Sequence, residues 1–162
     1  MIIREEIPND IGAIRRLVLA AFGQAAEAGL VESLRASGDV VTSLVADEDG
    51  DIVGHVLFSK LQAPEGCLGL APVSVLPGRQ NQGIGSKLIQ AGLARVKDDG
   101  WQAVFLLGEP AYYERFGFLV TQADRFETIY PKPYVMALEL APGALAARTG
   151  ALIYAAPFID LE

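Results

Sequence analysis

The chain has 162 residues, enough for one domain with a substantial core, and carries a formal net charge of −7 with a pI of about 4.7. That acidic balance argues against nucleic acid as the main partner, and the single cysteine, Cys67, excludes an intrachain disulfide. Hydrophobic residues make up 51% and mean hydropathy is +0.31, yet no apolar run reaches the length of a membrane span, and no leader pattern opens the chain, so a cytoplasmic location is the expectation.

Residues 2–6 read as a short first strand. Pro8-Asn9-Asp10 opens a helix, with Asn9 or Asp10 as its cap and Ile11, Ile14, Leu17, Val18 and Ala21 on the buried face. Phe22-Gly23-Gln24 ends it. Residues 25–36 form a second helix with Leu30, Val31 and Leu34 inward. Strands over 40–46 and 52–61 flank an acidic turn with Asp49-Gly50 at its tip, a hairpin signal. The turn lacks the glycine and glutamate spacing of an EF-hand calcium loop.

Residues 62–66 link to an apolar strand over 68–76. Pro77-Gly78 turns the chain, and from Ile84 a helical pattern runs to the stop at Asp98-Asp99-Gly100. A buried strand over 102–107, a short helix over 111–116 closed by Gly117, and an extended Phe118-Leu119 come next. Residues 121–133 read as loop, 134–140 as strand, 142–150 as a helical turn and 151–156 as a last strand. The pattern is α/β or α+β around one mixed sheet in a single domain spanning residues 1–162.

The unit of strand, glycine loop and helix over residues 67–94 organises the chain. The first turn of a helix leaves its N–H groups without internal partners and adds the positive end of the helix dipole. Gly83 and Gly85 let a ligand approach that backbone, so the amides of residues 82–86 can cradle a pyrophosphate. Ser86 adds a hydroxyl, and Arg79 and Lys87 can reach peripheral oxygens. A dinucleotide fingerprint is excluded because Leu88 stands where its last small residue belongs. A P-loop is excluded because Ile84-Gly85 follows Gly83 in place of Lys-Ser/Thr.

At these residues the chain resembles the GNAT superfamily of acyl-CoA-dependent N-acetyltransferases. Gln80, Gly83 and Gly85 fit its Gln/Arg-x-x-Gly-x-Gly/Ala motif, with Val75 and Pro77 ahead of them. The resemblance implies a mixed central sheet flanked by helices. It implies that the loop Arg79, Gln80, Asn81, Gln82, Gly83, Ile84, Gly85 and Ser86 holds the CoA pyrophosphate. It also implies that the backbone of Val73, Ser74 and Val75 pairs with the pantetheine arm and aims an N–H at the thioester carbonyl.

Residues 108–118, GEPAYYERFGF, form the second informative stretch. Two adjacent tyrosines on a helix diverge by about 100° and cannot share one core face. The stretch resembles the later GNAT motif, in which the tyrosine matching Tyr113 meets the departing CoA thiolate. The chemistry suits a phenol: its pKa of about 10 stands close to the thiol's value of about 8.5. Ala21-Phe22-Gly23 with Glu27, and Gly150 with Tyr154 and Phe158, extend the resemblance to stand-alone bacterial members of the superfamily.

The attacking amine must be neutral, and three groups are candidates to take its proton: Glu109 at a strand end, Glu27 at the start of the second helix and, third, the mid-strand His55. Cys67 reads as a structural thiol, and no cluster has metal-ligand spacing. The function implied is acetyl transfer from acetyl-CoA to a primary amine of a small molecule or protein, by direct attack in a ternary complex. The alternatives are a non-catalytic CoA-binding regulatory module and a transferase for longer acyl groups. The resemblance also allows a homodimer; no nucleic acid, membrane or metal is called for.

Overall fold

A computed structural model describes residues 1–160. The main sheet has six strands in the order β1 (Ile2–Glu5), β2 (Val40–Glu48), β3 (Asp51–Lys60), β4 (Cys67–Val75), β5 (Ala103–Leu107) and β7 (Val135–Glu139). All neighbours are antiparallel except β4 and β5, which run parallel. The architecture is the mixed α/β sheet flanked by helices that the sequence implies. Among the described residues, no helix is long and apolar enough to cross a membrane.

Each face of the sheet has its own core. Helix α3 (Ile84–Asp98) packs Ile84, Leu88, Ile89 and Val96 onto Leu44, Val56, Phe58, Leu68, Val104 and Leu106. The opposite face receives α1 (Ile11–Phe22) and α2 (Ala26–Ser37), whose Ile14, Val18, Leu30, Val31 and Leu34 meet Val45 and Leu57. Strand alternation divides the two sets, since neighbouring residues point to opposite faces.

Most expected elements lie where their patterns place them. Asp49 (φ 52°) and Gly50 (φ 93°) make the hairpin tip with both residues left-handed, as a two-residue turn of primed type demands. Two details of α1 differ from expectation. Ile11 is 40% exposed, and Asp10 does not cap the helix through its side chain. Its carboxylate instead accepts the Ile7 N–H (2.8 Å) and a two-pronged bond from Arg4 (2.8 and 3.0 Å).

The C-terminal third departs further. The expected loop 121–133 contains a short helix, α5 (Val120–Ala123), and a strand, β6 (Phe126–Glu127), while a one-turn helix α4 (Pro110–Tyr113) precedes them. Residues 142–147 form turns without a helix. The expected strand 151–156 is reduced to β8 (Gly150–Ala151), parallel to β6, plus a bridge from Ile153 to Ala63. A helix α6 (Ala156–Asp160) comes last, its Pro157 in the first turn, where a missing N–H costs nothing. Tyr154 is buried and its burial holds the phenol above its usual pKa. It stacks on Tyr130 (5.5 Å between centroids) and Phe158 (5.1 Å) and fixes this segment against β4.

Strand β4 is irregular in two respects. Val73 pairs with Val56 and Leu70 with Phe58, so Ala71 and Pro72 together oppose Leu57 in a bulge, where proline can be accommodated. The ladder to β5 covers only Cys67, Leu68 and Gly69. Beyond Gly69 that edge of β4 has no strand partner among the described residues.

Candidate active site

The open edge of β4 carries unused backbone groups. The Leu76 N–H donates to Val53 O (3.0 Å) toward β3. Alternation along the strand therefore turns the Val75 N–H to the other side, away from β3. The Val75 carbonyl on that side accepts the Gln80 side-chain amide (3.3 Å).

A cavity of about 460 Å³ lies where this edge meets the start of α3. Val73 and Val75 form one wall, and Arg79, Gln80, Asn81, Gly83, Ile84, Gly85 and Ser86 form the floor. Gly83 caps α3 at φ 83°, a left-handed conformation that L side chains rarely adopt. Its carbonyl accepts the Lys87 N–H (3.1 Å), so the helix is continuous from this point and the amides of its first turn lack internal partners. A Cβ on Gly85 would meet nothing closer than the Tyr112 hydroxyl and Val75 Cγ2, both at 3.7 Å.

Some expected residues stand apart. Gln82 is exposed and accepts a bond from Arg79 Nε (3.0 Å) without lining the cavity. Lys87 is likewise outside it. Arg79 lines the cavity, but its guanidinium is held by both oxygens of Glu48 at 2.8 Å, which keeps that carboxyl below its usual pKa. Ser74 lines neither this cavity nor the second one, beyond Val73. Strand alternation turns its buried side chain to the face opposite Val73 and Val75, across from His55.

Two contributors escape the sequence argument. Tyr112 lines the cavity with its hydroxyl 3.2 Å from Ser86 Oγ. Arg115 also lines it, with its guanidinium carbon 4.4 Å from the centre of the Tyr112 ring and its Nε donating to Tyr112 O (2.8 Å). The i, i+3 spacing of the pair on a short helix is the signal that could have found it.

The second cavity, of about 370 Å³, adjoins the first and shares Val73 with it. It is lined by Leu70, Ala71, Pro72 and Val73 of β4, Leu107 at the end of β5, Phe22, Glu27 and Leu30 of the first two helices, and Tyr113, Tyr130 and Phe158. Tyr113 thus sits beyond Tyr112, the two rings edge to face at 4.9 Å. Burial, with a lesser contribution from Tyr112, pushes the Tyr113 phenol above its usual pKa, so it keeps its proton at neutral pH. Gly108 makes room for it: a Cβ there would run into the Tyr113 ring.

The candidate bases separate. Glu27 lines the second cavity, its carboxylate accepting Gln24 Nε2 at 2.9 and 3.2 Å. Glu109 is exposed at the start of α4 and lines neither cavity; only its carbonyl is engaged there, by the N–H groups of Tyr112 and Tyr113. His55 is fully buried on the α1/α2 face, with Nε2 2.7 Å from Ser43 Oγ, and burial pushes it down to about 4. Cys67 is buried outside both cavities, and burial raises its thiol pKa. Among the described residues, no set of three His, Cys, Asp or Glu side chains converges as a metal site would.

Comparison with known proteins agrees with this geometry. Residues 11–118 match the model of the acetyltransferase (GNAT) family. Over 160 residues the chain is 36% identical to the uncharacterized N-acetyltransferase YhbS of Escherichia coli K12, spanning 95% of this chain and 96% of that one. The fold superposes on the crystal structure of E. coli YhbS in complex with CoA with a TM-score of 0.92 at 34% identity, covering 98% and 91% of the two chains. A Brucella melitensis GNAT acetyltransferase in complex with acetyl-CoA gives 0.82 at 39% identity, with 97% of each chain covered. The match extends along nearly the whole length in both sequence and fold, and the chain belongs to the GNAT family of N-acetyltransferases.

Proposed function

We propose that the protein transfers the acetyl group of acetyl-CoA to a primary amine by direct attack, with the amine in the second cavity. The observation that carries this reading is the meeting of the two cavities at Val73, beside the unpaired edge of β4. One cavity offers helix amides, glycine and a free strand edge to a phosphorylated thioester. The other offers a largely apolar chamber with the Glu27 carboxylate and the protonated Tyr113 phenol. The complexes of the two relatives with CoA and acetyl-CoA support this choice of donor.

In this reading the first-turn amides of α3, with Ser86 and Arg115, hold the pyrophosphate, and the β4 edge from Val73 to Val75 receives the pantetheine arm. The Val75 N–H polarises the thioester carbonyl and stabilises the oxyanion. Glu27 draws a proton from the entering ammonium, and the amine lone pair attacks the carbonyl carbon. As the C–N bond forms and the C–S bond breaks, Tyr113 donates its proton to the departing sulfur and regains one from the nitrogen. The products are the N-acetyl amine and CoA thiol, and no covalent enzyme intermediate forms. Glu109, exposed and outside both cavities, has no role in this scheme.

Calorimetric titration with acetyl-CoA, beside NAD and ATP, tests the donor. The expected result is that acetyl-CoA binds and the other two do not. Tyr113→Phe keeps that affinity and lowers kcat by about 100-fold or more, the range expected for loss of a proton donor. Binding of NAD or ATP in place of acetyl-CoA would overturn the proposal.

A further inference from the structure

The lining of the second cavity bears on the acceptor. Around its 370 Å³ stand the rings of Phe22, Tyr113, Tyr130 and Phe158, and among the described lining residues Glu27 is the sole carboxylate, with no Lys, Arg or His. Gln24 orients that carboxylate with a neutral amide, so its negative charge is not cancelled. The aromatic wall is backed by the buried Tyr154, which packs against both Tyr130 and Phe158 and is tied down by Gln62 Nε2 on its carbonyl (2.9 Å). Glu48 and Asp51 of the acidic hairpin tip line a different recess.

Resting on the acetyl-transfer reading above, we infer that the acceptor is a small apolar amine with one positive charge, its ammonium paired with Glu27 and its alkyl or aryl body seated among Phe22, Tyr130 and Phe158. Apolar body and wall gain by leaving water. A second ammonium on the body would lose water against this apolar wall and meet no second carboxylate among the described lining residues, which is unfavourable. A carboxylate beside the amine would face Glu27 and be repelled. Diamines, aminoglycosides and lysine-rich peptides are therefore poor acceptors, and selectivity comes from the absence of a second carboxylate among the described lining residues as much as from the apolar fit.

The test is CoA release from acetyl-CoA with pentylamine, phenethylamine, cadaverine and a lysine-rich peptide, with acetyl-CoA titrated by calorimetry in parallel. Pentylamine and cadaverine differ only by the second ammonium. The expected kcat/KM for pentylamine and phenethylamine exceeds that for cadaverine and the peptide by at least about tenfold. Glu27→Gln raises the phenethylamine KM about tenfold or more and leaves the acetyl-CoA Kd unchanged. Phe158→Ala raises the KM for the two monoamines and not for cadaverine. Equal or better turnover of cadaverine or the peptide overturns the inference, as does absence of turnover with both monoamines while acetyl-CoA binds. Faster transfer from hexanoyl-CoA than from acetyl-CoA, with amine KM insensitive to Glu27→Gln, would overturn it by assigning the cavity to an acyl chain. Failure of acetyl-CoA to bind at all would remove the underlying reading and this one with it.

Discussion

Tyr112 and Tyr113 are neighbours that face different cavities, and the division comes from helix geometry. Successive side chains on α4 diverge by about 100°, so one ring turns toward Ser86 and the glycine loop while the other turns toward Glu27 and the aromatic wall. The position of Tyr113 depends on Gly108, whose missing Cβ leaves the space that the ring fills. Gly108→Ala therefore displaces the ring without touching the first cavity. On the proposed role of Tyr113, kcat falls about 10- to 100-fold while the acetyl-CoA Kd stays within about twofold, as steady-state kinetics beside calorimetry would show. Equal loss in both quantities would mean that Gly108 supports the whole α4 segment and not the phenol alone. The motif around Tyr113 was legible in the sequence because its spacing is local. Tyr112 was readable only as one of two rings that cannot share a face, since its partner Ser86 lies 26 positions away.

At the scale of the element, the turn from β4 into α3 was the most legible part of the chain. Its strand, turn and helix signals all lie within one short stretch, and the helix begins at Ile84 as its periodicity demands. The two glycines of that turn are not equivalent. Gly83 holds a left-handed conformation, so Gly83→Ala costs about 1 kcal/mol of stability whatever the ligand. Gly85 is inside the helix with ordinary space around a Cβ, so Gly85→Ala is neutral or stabilising by up to about 1 kcal/mol in the free protein. That same Cβ points into the proposed pyrophosphate cradle, and acetyl-CoA affinity should fall about tenfold or more. Thermal denaturation with and without acetyl-CoA separates the two substitutions, and a Gly85→Ala protein that binds normally would move the cradle elsewhere. The C-terminal elements were poorly legible for a physical reason. β6 and β8 are two-residue strands, too short to show alternation, and the wall they support is assembled by contacts such as Tyr154 against Tyr130 that no local period encodes.

Across the whole molecule, one polar chain ties the N-terminal helices to the sheet. Arg35 of α2 donates two bonds of 3.0 Å to Glu6, Glu6 accepts the Ser43 hydroxyl, and Ser43 Oγ lies 2.7 Å from His55 Nε2 in the buried interior. Glu6 Oε1 is itself 3.9 Å from His55, and Ser74 faces the imidazole from β4. Burial lowers the His55 pKa most, Glu6 raises it and Arg35 lowers it, leaving it at about 4 against an ordinary 6.5. Burial pushes the Glu6 carboxyl up, but the bonds from Arg35 and Ser43 outweigh it and hold it below its usual pKa. Between pH 6.5 and about 4 the unfolded chain therefore takes up a proton at His55 that the folded chain refuses. Stability from this group is level above pH 6.5 and declines as pH falls through that window, by up to about 3 kcal/mol in all. Urea denaturation across the window should show the loss in the natural protein and a shallower one in His55→Gln. If the natural protein held its midpoint while the pH fell, the imidazole would be charged in the folded state. Glu6 would then be shared between His55 and Arg35, and the buried end of the chain would be an ion pair and not a neutral hydrogen bond.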